Sequence, residues 1–190
     1  MKNQIRVLGI DDSPFTFGTS RVTVIGVVMR LPSYIEGVTK SECDIDGSDA
    51  NDSVIRMIIN SRFKEQIKII LIDGIALGGF NVIDPSIIHK ATGIPCATIT
   101  RKKPDLDMMK KALVKHFPDW ERRFEVITRF FPNPVSIDHK RIFVAVDGME
   151  FEEATSIIRS CILRGNIPEP IRVAHLIASA IVHGESRGPA

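Results

Sequence analysis

Cysteine is scarce in this chain, and so are aromatic rings: 190 residues hold three cysteines, one tryptophan and one tyrosine. Cys43, Cys96 and Cys161 are odd in number, far apart, and form no Cys-x-x-Cys pair. That excludes a disulfide framework and a cysteine zinc site, and it suits a reducing compartment in which all three are small buried side chains. His89, His116, His139, His175 and His183 show no His-x-x-x-His or His-x-His spacing, so a histidine zinc centre is not indicated either. No stretch reaches the roughly 18 apolar residues of a membrane span. The opening Met-Lys-Asn-Gln-Ile-Arg runs straight into a strand-like segment without a signal-peptide pattern, and a cytoplasmic protein is expected. Charge of either sign is nearly absent in sum: 25 Lys and Arg face 23 Asp and Glu, a net charge of +2. That average makes no case for a nucleic-acid partner.

With 44% hydrophobic and 25% charged residues, the composition is that of a folded domain, and residues 1–190 read as one. Arg6 to Ile10, Arg21 to Arg30 and Tyr34 to Ile45 predict three strands joined by short turns, an antiparallel meander. Asn51 to Phe63 shows helical spacing. Strand and helix then alternate. Ile67 to Asp73 is a nearly continuous apolar run, as expected of a central strand covered on both faces. After a glycine-rich loop comes a helix near Pro85 to Lys90, a strand at Cys96 to Thr100, and helices at Leu106 to His116 and Trp120 to Phe130. The last strand is Arg141 to Asp147, followed by helices at Phe151 to Leu163 and Ile171 to His183. Three antiparallel strands followed by βα units predict a mixed α/β sheet with helices on both faces.

Asp11, Asp73 and Asp147 each close an apolar strand, and they are expected to meet at one sheet edge. In open α/β sheets the ligand crevice lies outside the strand carboxyl ends. Carboxylates gathered there repel one another unless a cation sits between them, and such hard oxygen donors suit Mg²⁺ or Mn²⁺. Two such ions can drive phosphodiester hydrolysis. The same residues also suit a humbler role, since Asp73-Gly74 and Asp147-Gly148 are turn dipeptides whose carboxylates can cap a helix. Charge is unevenly spread: Arg101 to Arg141 carries 11 Lys and Arg against 6 Asp and Glu, while Glu36 to Asp52 carries six acids and one lysine. An acidic patch beside a basic stretch is what an enzyme acting on a polyanion needs. Solvated helix faces produce similar counts.

Val7-Leu-Gly-Ile-Asp-Asp-Ser13, Leu71-Ile-Asp-Gly74, Gly93-Ile-Pro95, Val146-Asp-Gly-Met-Glu150 and Ile167-Pro-Glu-Pro-Ile-Arg172 appear in this order over nearly the whole chain. Together they resemble the endonuclease V-like branch of the RNase H-like fold, and more closely its archaeal relatives, the endonuclease dU family. The resemblance implies a divalent-metal-dependent endonuclease acting on DNA that contains deaminated bases, deoxyuridine foremost, with Mg²⁺ or Mn²⁺ as cofactor. It implies metal-ligand roles for Asp11, Asp52, Asp73 and Asp147. Asp49 competes with Asp52 for the second position, and Asp147 falls where endonuclease V has a histidine. Arg101 falls at the family's active-site lysine, with Lys102 and Lys103 beside it as substrate contacts. The strand-parting wedge of endonuclease V has no counterpart; Cys43 falls near its place. Gly78, Gly79 and Phe80 could admit and stack a flipped base, or form a flexible turn. Ser13 reads as a turn residue, and Asp12 and Glu150 as capping or solvated acids. A rival reading is a binding protein on the same fold that needs the basic stretch but not the acids.

Overall fold

The chain is described by a computed structural model over residues 5–16, 18–138 and 140–188. The meander forms as β1 (Arg6–Asp12), β2 (Arg21–Arg30) and β3 (Tyr34–Asp44), followed by α1 (Ala50–Ile59) and β4 (Ile67–Asp73). The glycine-rich loop is a small hairpin, β5 (Ala76–Leu77) with β6 (Asn81–Val82). Then come α2 (Pro85–Thr92), β7 (Cys96–Thr100), α3 (Leu106–His116), α4 (Trp120–Arg129), β8 (Asn133–Ile137), β9 (Lys140–Asp147), α5 (Phe151–Ser160) and α6 (Glu169–His183). Helix ends follow local chemistry. Asp84 caps α2 by accepting the Ser86 backbone N–H, and Gly93 closes that helix at φ +75°. Asp105 likewise caps α3 through the Met108 N–H.

One seven-stranded sheet runs in the order β3-β2-β1-β4-β7-β9-β8. Alternate residues of its central strands feed two cores. Leu8, Ile10, Ile70 and Ile72 pack with Val54, Ile58 and Ile88 of α1 and α2 on one face. Val7, Ile69 and Leu71 pack with Ile157, Ile158 and Ile171 of α5 and α6 on the other. The continuous apolar run of β4 is therefore covered on both faces, and the mixed α/β sheet matches the expectation. Cys43, Cys96 and Cys161 are free and buried.

Two departures bear on the site. β8 is a strand that the sequence reading does not include; it contains Pro134 and lies at the sheet edge, where a missing backbone donor is tolerated. More consequential is direction. β1, β4 and β7 are parallel, but β9 is antiparallel to β7, pairing Cys96 with Asp147 and Ile99 with Val144. β8 and β9 form a tight hairpin, so β9 returns against the run of the central strands.

Candidate active site

β1 and β4 are parallel neighbours in the register Leu8–Ile70, Gly9–Leu71 and Ile10–Ile72. One step further, Asp11 and Asp73 stand side by side at the two strand ends, both on the α6 face. Arg101, just past the end of β7, adds its charge to this edge and acts on both carboxylates. From α6, His175 Nδ1 meets Asp11 Oδ2 at 2.9 Å, while Asp11 Oδ1 accepts the Asp12 backbone N–H at 2.9 Å. Asp12 projects to the opposite face, where its Oδ2 accepts the Gly78 N–H at 2.9 Å.

The electrostatics are those of negative charge short of a counterion. Burial, then the charges of Asp73 and Asp12, push the Asp11 carboxyl up to about 8; the Asp12 N–H and Arg101 pull weakly the other way. Burial also lifts Asp12 to about 6 despite the Gly78 N–H, with Asp73 adding to the rise. Asp73 is raised by burial too, against the opposing charges of Arg101 and His175. Three raised carboxyls at one edge fit a divalent cation, which would offset what burial costs their ionised forms. The other ring nitrogen of His175, Nε2, is buried without a hydrogen-bond partner. Among the described residues no three His, Cys, Asp or Glu side chains converge to enclose an ion. That excludes a closed protein cage but not the Mg²⁺ mode, in which one or two carboxylates act together with water and phosphate oxygens.

The remaining predicted residues divide. Asp147 does not join this edge: because β9 runs backwards, its carboxyl end lies level with Cys96 at the start of β7, at the opposite end of the sheet from Asp73. There it pairs with His89 Nδ1 at 2.8 Å. Asp52 is exposed on the first turn of α1, away from the hydrogen bonds that join Asp11, Asp12 and His175. Its competitor Asp49 is engaged, accepting from Asn81 Nδ2 at 2.7 Å and the Asp44 N–H at 3.0 Å. Gly78, Gly79 and Phe80 form a structural turn. Gly78 and Gly79 have φ of +55° and +85°, Gly78 is tied to Asp12 and Asp46, and the Phe80 ring rests edge-on against Phe117 at 5.7 Å. Arg123 fixes the turn by donating to the Phe80 carbonyl. Lys102 and Lys103 instead line a cavity of about 340 Å³ with Gly74, Thr98, Phe130 and Phe131. Cys43 is wholly buried and offers no wedge. Ser13 does not form a turn: buried just past β1, it extends the pairing with β2, its N–H donating to the Thr23 carbonyl at 2.8 Å and its Oγ accepting the Thr23 N–H at 3.1 Å. Glu150 is exposed ahead of α5.

His175 and Asp12 are the residues that the sequence reading missed. His175 lies three positions past Arg172, the end of the Pro-Glu-Pro-Ile-Arg motif. Helical spacing from buried Ile171 and Ala174 would have turned it to the sheet. Asp12 reads in the sequence as a capping or solvated acid; in the structure it is half-buried and ties β1 to the hairpin.

The sheet order, the helices on both faces and the acidic pair at the ends of β1 and β4 define an RNase H-like α/β protein. Ciona intestinalis endonuclease V, crystallised with DNA containing an inosine followed by a ribo-adenosine, has this fold: TM-score 0.63 at 14% identity, over 95% of this chain and 87% of that one. A crystal structure of a protein of unknown function from Archaeoglobus fulgidus is closer, with TM-score 0.85, 38% identity, and coverage of 95% and 100%. A UPF0215 protein of Thermococcus gammatolerans is 42% identical over 98% of this chain and 96% of its own length. The chain belongs to the endonuclease dU family, whose sequence pattern matches residues 3–182. Among the described residues no helix is long and apolar enough to cross a membrane.

Proposed function

We propose that this protein is a divalent-metal-dependent endonuclease that hydrolyses a DNA phosphodiester near a deaminated base, deoxyuridine foremost. The observation that carries the reading is the pair Asp11 and Asp73, the first buried and the second half-buried, side by side at parallel strand ends with carboxyls pushed up and Arg101 within electrostatic reach. Asp11 and Asp73 would hold Mg²⁺ or Mn²⁺; Asp147, at the opposite end of the sheet, has no part in it. The bound ion would supply Lewis-acid stabilisation of charge on the phosphoryl oxygens. His175 fixes the orientation of Asp11, and Asp12 anchors the hairpin beside it. Arg101 holds the phosphate as a permanent cation that cannot serve as a proton donor. Lys102 and Lys103 hold the flanking backbone. The cavity beside Gly74 is the place for an extruded base, since its volume falls in the range of small-ligand pockets, about 300–1,000 Å³.

The test is cleavage of matched oligonucleotides carrying uracil, hypoxanthine or xanthine, in DNA and in RNA, with and without Mg²⁺. Metal-dependent nicking of the uracil-containing DNA strand is expected. No nicking of any substrate sinks the enzyme reading, and tight binding without nicking would instead favour a noncatalytic nucleic-acid or nucleotide binder.

A further inference from the structure

Gly9 lies two residues before Asp11 on the same face of β1, where the first turn of α6 comes closest to the sheet. A Cβ at Gly9 would meet the Pro170 backbone carbon at 2.3 Å, the Ile171 nitrogen at 2.5 Å and the Pro170 Cβ at 2.7 Å. Ordinary van der Waals contact begins at 3.4 Å, so α6 sits about 1 Å nearer to β1 than a residue with a side chain would allow. The crowding atoms are backbone and a proline ring, with no flexible end to swing aside. Nor does the backbone call for glycine here, because Gly9 is not among the positive-φ positions. Glycine weakens a strand interior and marks close backbone approach.

The spacing shows what the close approach serves. Two residues along a strand advance about 6.6 Å, and four to five along a helix about 6–7.5 Å. Contact of Gly9 with Pro170 and Ile171 therefore sets His175 level with Asp11. The start of α6 is held by the Glu169 N–H donating to the Cys161 carbonyl at 2.8 Å. Lifting the helix by about 1 Å would stretch the 2.9 Å contact of His175 with Asp11 beyond hydrogen-bond range.

We infer that Gly9 is a positioning residue: its missing side chain seats α6 so that His175 can orient Asp11. The inference rests on the proposed metal site for its consequence in function, though not for the Asp11–His175 contact itself.

The test compares Gly9→Ala with Gly26→Ala. A Cβ at Gly26 would crowd Thr39 Oγ1 at 2.4 Å, and Leu8 Cδ1 and Met57 Cε at 3.1 Å, all side-chain atoms on the α1 face, and none of these contacts belongs to α6. Two readouts are taken on folded protein: Mg²⁺ affinity by calorimetry, and the His175 ring resonances by NMR, which report its hydrogen bond without any metal. G9A should lose the bonded His175 signature and about tenfold to a hundredfold in Mg²⁺ affinity, while G26A keeps both. If G9A does not fold, G9A/D11N against D11N replaces it, with the same His175 signature lost only in the double variant. An unchanged His175 signature, or equal losses in G9A and G26A, overturns the inference. Wild-type protein that binds no Mg²⁺ overturns the metal reading instead, and the NMR comparison still decides Gly9.

Discussion

Replacing Asp11 by Asn should make the metal-free protein more stable, and increasingly so as pH rises. The Asp11 side chain is only 8% exposed, and its carboxyl moves from 3.8 in an unfolded chain to about 8. Between those values the folded state keeps a proton that the unfolded state has lost. The folded state binds more protons, so stability falls as pH rises from about 4 to 8. For a shift of this size the loss is about 2 kcal/mol at pH 5 and about 5 kcal/mol at pH 8, a difference of about 3–4 kcal/mol. Asparagine has the same shape and carries no charge at either pH. Its amide can still accept the Asp12 N–H and meet His175 Nδ1. In EDTA, the melting temperature of D11N relative to wild type should rise by on the order of 10 °C between pH 5 and pH 8. Thermal melts of both proteins at the two pH values measure this directly. A difference that is the same at pH 5 and pH 8 would refute the claim that burial and Asp73 hold Asp11 up. At pH 8, Mg²⁺ should raise the wild-type melting temperature more than that of D11N, because the charge it offsets is missing from the variant.

Asp73→Asn should abolish metal-dependent nicking, whereas Asp147→Asn should leave the rate within about twofold; a large loss in D147N would refute the opposite-edge placement, read against activity in a single-turnover assay. Lys102→Gln and Lys103→Gln should each lower the slope of log affinity against log salt by about 0.7–0.9, measured by anisotropy on uracil-containing DNA. Gly78→Ala should cost about 1–3 kcal/mol in urea unfolding, since φ is +55° and a Cβ would lie 2.9 Å from Val22 Cγ2.

Strand-end acids and apolar periodicity are local properties, and they were legible in the chain as a string. The β-branched runs of β1, β2 and β4 could bury only as strands, and the Asp84 and Asp105 caps fall where their side chains satisfy free backbone donors. Asp11 and Asp73 stand side by side, as expected, because adjacent parallel strands in an α/β sheet end at one crevice and both strands keep that direction. Asp147 carried the same local signature and ended at the wrong edge. Nothing within Arg141 to Asp147 encodes which way the strand runs; that follows from the hairpin with β8. His175 shows the converse. It stands 164 positions from Asp11 in sequence, and no short-range pattern joins the two. Only the packing of α6 against β1, close enough at Gly9 to exclude a methyl group, brings the imidazole to the carboxylate. Which residues are acidic, apolar or turn-forming belongs to the sequence. Which of them share one desolvated edge depends on strand direction and helix seating, and both are set by contacts between distant segments.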